Sequence, residues 1–119
     1  MANLNFHNER LAGQLQKEIG LVIAHEVRDP RIPSLVTITH VKLAQDTRNA
    51  TIYVSIFGDR SEKEEAITGL NKAAPFIQRV VAGRITVKHF PKIFFKLDNS
   101  IEHGQHINDL LKEIKHDLE

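Results

Sequence analysis

Six cations, Lys72, Arg79, Arg84, Lys88, Lys92 and Lys96, are strung between Ala66 and Leu97 with no acid among them. The other ten Lys and Arg face all fifteen acids, so a net charge of only +1 conceals a polarised chain. A cationic face attracts polyanions, because each phosphate it neutralises releases condensed counterions and adds affinity independent of base sequence. The plainer alternative is that such a run solvates a helix flank. Arg28 and Arg31 add two cations around Asp29-Pro30-Arg31-Ile32-Pro33. The seven histidines raise a second chemistry, and His103, His106 and Asp109 put three possible metal ligands at spacings of three. That set lacks the HExxH arrangement, and the chain has no cysteine, so surface histidines are the expectation and no metal or other cofactor is called for. No GxxxxGK[ST], GxGxxG or GxSxG occurs, which leaves phosphate-loop, dinucleotide and nucleophile-elbow chemistry without residues to perform it. The chain is not expected to be an enzyme.

These side chains need elements to hold them. Leu11, Leu15, Ile19, Val22, Ile23 and Val27 line one side of a first helix that Asn5 or Asn8 could cap, in which Gly13 and Gly20 point to close packing against another element or to nothing. Pro30 and Pro33 then force a loop. Val36 to Leu43 is rich in β-branched residues, and Ala50 to Phe57 alternates apolar with polar, so two strands are predicted. The short polar link from Ala44 to Asn49 makes an antiparallel hairpin their simplest pairing. Ser61 with Glu64 reads as a capping box opening a helix whose apolar face is Ala66, Ile67, Leu70, Ala73 and Ala74. Pro75 is expected to stop or kink that helix and to open another through Phe76, Ile77, Val80, Val81 and Ile85. A helix N-terminus at such a break would favour an anion.

Lys92 to Leu97 reads as a third strand, and Asp98-Asn99-Ser100 offers caps for a last helix carrying Ile101, Ile107, Leu110, Leu111 and Ile114. Arg79, Arg84, Lys88, Lys92 and Lys96 are expected to share one surface. Tyr53 and the phenylalanines read as core or sheet residues, so no aromatic platform for stacked bases is expected and binding should carry little base specificity. Residues 1–119 suffice for one domain with its own core. The polar start, Met1 to Glu9, lacks a signal peptide's pattern, and no apolar run approaches a membrane span, so the cytoplasm is the expected compartment.

The order is that of an α+β fold, a type II KH-like domain: a three-stranded sheet with helices on one face, α-β-β-α-(kink)-α-β, plus a C-terminal helix. In that RNA-binding fold a GxxG loop clamps the backbone of the nucleic acid. Here the joint reads Lys72-Ala73-Ala74-Pro75, without the glycines. The chain resembles the bacterial ribosome-binding factor A family over nearly its whole length. The stretches that carry the resemblance are Gln16-Lys17-Glu18-Ile19, Val27-Arg28-Asp29-Pro30-Arg31, Ala50-Thr51-Ile52-Tyr53-Val54 and Phe90-Pro91-Lys92-Ile93-Phe94-Phe95-Lys96-Leu97-Asp98-Asn99-Ser100. Members resemble KH domains whose GxxG is replaced by a helix-kink-helix, usually with glycine at the kink and an arginine shortly after. Here Pro75 and Gln78 stand in those places. The resemblance implies a factor that binds the small ribosomal subunit near the 5′ end of 16S rRNA, assists late maturation and matters most in the cold. Its implied partners are that subunit and the precursor 5′ region, with no membrane and no DNA, and the chain is expected to be a monomer. Arg28, Arg31, Lys72, Arg79, Arg84, Lys88, Lys92 and Lys96 are the expected rRNA contacts, and Ala73, Ala74 and Pro75 the kink. The alternative from the residues alone is an adaptor whose basic face meets an acidic protein.

Overall fold

A computed structural model describes residues 2–33 and 36–98 of the chain, with the side chains of 2–7 left aside. The expected C-terminal helix and the His103, His106 and Asp109 set lie outside the described residues. The elements run α1 (Ala2–His25), β1 (Val36–Leu43), β2 (Asn49–Ile56), α2 (Arg60–Ala82) and β3 (Lys92–Leu97). The strands form one sheet in the order β1-β2-β3. β2 is antiparallel to β1 across the short Ala44 to Asn49 turn, as expected of a hairpin. It is parallel to β3, a pairing that requires a crossover, and α2 is that crossover.

Alternation along the strands sends Ile38, Val41, Ala50, Ile52, Val54, Ile56, Ile93 and Phe95 to one face, where all are buried. Against that face pack Leu11, Leu15, Ile19, Val22 and Ile23 of α1 and Ala66, Leu70, Ala74, Ile77 and Val81 of α2. Burial of this many apolar side chains in one cluster is the main force holding helices and sheet together.

Three local expectations are corrected. α1 begins at Ala2, so Asn5 and Asn8 lie inside it and neither caps it. An interior asparagine costs under about 0.7 kcal/mol against alanine, too little to stop a helix whose later turns are packed. The cap of α2 is Asp59 rather than Ser61: its carboxylate accepts the Glu62 N–H at 2.8 Å, and Glu62 accepts the Asp59 N–H in return at 3.3 Å. Gly58 turns the chain between β2 and that cap at φ 150°, a conformation that side-chain-bearing residues rarely adopt, and Glu64 pairs instead with Arg60. β2 ends at Ile56, one residue short of the expected Phe57, which is exposed.

The third correction is the largest. No break separates two helices at Ala74-Pro75; α2 runs from Arg60 to Ala82 with Pro75 inside it. Proline removes one helical hydrogen bond and crowds the preceding turn, at a cost of roughly 3 kcal/mol. The buried positions Ala66, Leu70, Ala74, Ile77 and Val81 nevertheless keep helical spacing across it, so a break would pull one half of the stripe out of the core. Burial on both sides outweighs the local defect, while Pro75 and Phe76 face outward. Of the two glycines of α1, Gly20 is in ordinary contact with Ile38 of β1 and Gly13 faces open space; the tightest approach is at Gly69, where a Cβ would lie 3.1 Å from Ile32 Cγ1 and 3.3 Å from Asp29 Oδ2. The proline loop is seated on α2 at that point.

Candidate nucleic-acid interface

The cations fall into two groups according to what each one touches. Arg31 belongs to the first. Its Nη2 lies 2.6 Å from Asp29 Oδ2 and its Nε donates to Oδ1 at 3.0 Å, while its own backbone N–H reaches the same oxygen at 2.9 Å. Three donors converge on one carboxylate. The Arg31 guanidinium first, and then its backbone N–H, hold the Asp29 carboxyl down at about 2, and Asp29 in turn pushes Arg31 upward. Arg84 is the second tied cation. It pairs with Glu26 at 2.9 Å and approaches Glu18 at 3.8 Å, joining the chain just past α2 to α1.

Arg28, Lys72, Arg79, Lys88, Lys92 and Lys96 are exposed, and among the described residues none has an ion-pair partner. Arg79 edges an open hollow of about 500 Å³ that it lines with Pro75, Gln78, Ala82 and Phe90. Lys72 stands on α2 upstream of Ala73, Ala74 and Pro75, and Lys88 in the segment between Ala82 and Lys92. The five cations expected on one surface do not share it. Ile93 and Phe95 point into the core, so Lys92 and Lys96 must leave β3 on the opposite face, away from both helices.

Two uncharged polar residues of α2, neither of them among the expected site residues, tie that helix to β3. The Asn71 side-chain amide donates to the Phe95 carbonyl at 3.2 Å, and its oxygen accepts the Phe95 N–H at 2.8 Å. Gln78 Oε1 accepts the Ile93 N–H at 3.4 Å. β3 is an edge strand whose outward groups would otherwise offer themselves to another chain, and these side chains occupy them. The sequence signal was available: Asn71 and Gln78 are seven apart, on one side of a helix beside the buried Ala74. Phe94 and Phe95 are both residues of β3, as expected, with Phe94 51% exposed on the open sheet face while Phe95 fills the core. Among the described residues no helix is long and apolar enough to cross a membrane.

Two helices over a three-stranded sheet, with one set of cations locked in internal pairs and another exposed, define a small α+β domain with a polarised cationic surface. The model of the ribosome-binding factor A family matches residues 7–111, and the chain belongs to that family. The ribosome-binding factor A of Caldanaerobacter subterraneus subsp. tengcongensis is 41% identical over 114 residues, spanning 96% of this chain and 93% of that one. The crystal structure of ribosome-binding factor A from Thermus thermophilus superposes with a TM-score of 0.67 at 26% identity, over 75% of this chain and 92% of that one. A homology model of the Thermus thermophilus factor, fitted into a cryo-EM map of its complex with the 30S subunit, matches at TM-score 0.61 and 24% identity, over 74% and 91%, a likeness of fold alone.

Proposed function

We propose that residues 1–119 form one KH-like domain that binds the small ribosomal subunit through 16S rRNA and assists late maturation of its 5′ end. It acts as a cytoplasmic monomer by binding rather than catalysis, and its contribution is greatest in the cold. Membership of a family named for ribosome binding supports the partner. The observation that carries the site is the run of exposed cations along and just after α2, Lys72, Arg79 and Lys88, none with an ion-pair partner among the described residues, of which Arg79 lines the hollow beside Pro75. Arg28 in the proline loop is a further exposed cation, and Lys92 and Lys96 stand apart from this group on the far face of the sheet. Exposed point charges and guanidinium forks suit phosphate oxygens, which position a protein on folded RNA without reading bases. Arg31 and Arg84 serve mainly as struts, since their charges are already matched by Asp29, Glu26 and Glu18.

The test is Lys72→Ala, Arg79→Ala and Lys88→Ala combined, measured by co-sedimentation with small subunits at two salt concentrations, with circular dichroism as the folding control. Each phosphate left without its cation should lower the salt slope by about 1. Exposed charges contribute within about 0.5 kcal/mol to stability, so the variant should remain folded. A folded variant that binds as tightly as the parent sinks this site.

A further inference from the structure

The face of the sheet that the described helices, α1 and α2, do not cover is cationic and aromatic, and nothing in the proposed function accounts for that combination. Strand register places Lys42, Thr51 and Phe94 in one row across β1, β2 and β3, and His40, Tyr53 and Lys96 in the next. Lys92 extends the surface opposite Asn49. Both rows are free of carboxylates. Asp98, just past β3, accepts a hydrogen bond from Thr39 at 2.5 Å at one end of the face. Phe94 is half exposed, although the strand could hold a polar residue there at no cost to the core. Tyr53 lies beside His40, ring centroids 6.0 Å apart at a tilt of 31°. Phe94 and Tyr53 are diagonal neighbours on adjacent strands, a separation of roughly 7 Å between their backbones.

We propose that this open face is a stacking surface for unpaired RNA, with Phe94 and Tyr53 each taking a base and Lys42, Lys92 and Lys96 taking the flanking phosphates. The occupant follows from two features together. Three lysines with no acid between them select a polyanion. Rings presented on a sheet reach bases only where these are splayed out of a helix, since a duplex keeps its faces stacked internally. The inference rests on the reading that the chain binds RNA, but it concerns a second surface and a different form of ligand, so it fails or stands separately.

The chain supplies its own probe, because it has one tyrosine and no tryptophan, so Tyr53 alone gives the intrinsic emission. Titrating the full chain with a short oligouridylate, corrected for absorbance, should change that emission; an RNA duplex of equal length should not. Labelled-oligonucleotide anisotropy on Phe94→Ala and on Phe94→Leu should show unpaired-RNA affinity falling about tenfold in each, with duplex affinity unchanged. Leucine keeps the apolar bulk and removes only the ring, so an equal loss in both isolates stacking from folding. The proposal is overturned if either variant binds unpaired RNA as tightly as the parent. It is also overturned if the parent binds without a Tyr53 response, as it would were residues 99–119 to occupy the face, or if a polyglutamate peptide competes equally, which would reduce the surface to charge. Loss of subunit binding in the Lys72, Arg79 and Lys88 variant alongside intact unpaired-RNA binding by Phe94→Ala would sink this inference and leave the helix-side site standing.

Discussion

Arg79 and Arg84 are five residues apart, carry the same charge and lie in the same acid-free stretch, yet they meet different surroundings. Arg79 is exposed beside a hollow with no ion-pair partner among the described residues, while Arg84 is drawn onto Glu26 and Glu18 of the α1 side. The same division separates Arg28 from Arg31, which differ by the carboxylate of Asp29. A cation already matched by a fixed anion offers little net field to a phosphate, and moving it costs the pair it leaves. What such a stretch makes available for binding is therefore its unmatched charge, and its formal total overstates it.

The largest expected effect comes from loosening the frame on which Arg79 is carried. Asn71→Ala leaves the N–H and carbonyl of Phe95 without their side-chain partner, and should cost about 1–3 kcal/mol in chemical denaturation. Subunit binding should fall with it if the registry of α2 on β3 sets the position of Arg79, whereas the tie between Arg84 and α1 should persist. A destabilisation below about 0.5 kcal/mol, the range of ordinary surface substitutions, would mean that the edge of β3 is satisfied by water. Next in size, Glu18→Gln with Glu26→Gln would convert Arg84 into a free cation. Exposed pairs of this kind are worth up to about 1 kcal/mol, so stability should change little, while the salt slope of subunit binding should steepen by about 1. An unchanged slope would show that Arg84 points away from the RNA and that position, as well as pairing, separates it from Arg79.

The smallest effect concerns Arg31. The Asp29 carboxyl is held at about 2 in the fold and returns to about 3.8 when released, so the folded state favours its ionised form. That stability is fully present above about pH 4 and is lost as pH falls from there through 2. Asp29→Asn should therefore unfold at lower temperature than the parent near neutral pH, with the gap closing as pH drops toward about 2. A gap that stays constant with pH would show that the loop is held by its seat on Gly69 rather than by the ion pair.

Much of the frame was legible because it rests on short-range chemistry. β-Branched runs and apolar alternation marked the strands, Pro30 and Pro33 marked the loop, and the spacing of Leu11, Leu15, Ile19 and Val22 marked the first helix with its buried face. The proline rule misled at Pro75 because it weighs one residue, whereas the stripe from Ala66 to Val81 passes through that position in phase. The two capping patterns, Asp59 with Glu62 and Ser61 with Glu64, have equal spacing. The fold uses the first, directly after the turn at Gly58.

The cationic site was legible as composition and illegible as geometry. The sequence by itself determined which residues carry charge, that Lys92 and Lys96 share a side of their strand, and that Phe94 and Phe95 must face opposite ways, since strand alternation is a property of the local backbone. Which of the two phenylalanines is buried was decided by where the helices pack, and helices pack where the most apolar surface leaves water. Which arginines remain free was decided likewise, because Arg84 and Glu26 are 58 residues apart and meet only after α1 and α2 share a core. Ion pairs act over a few ångströms of space, and distance along the chain says nothing about that until the fold is closed.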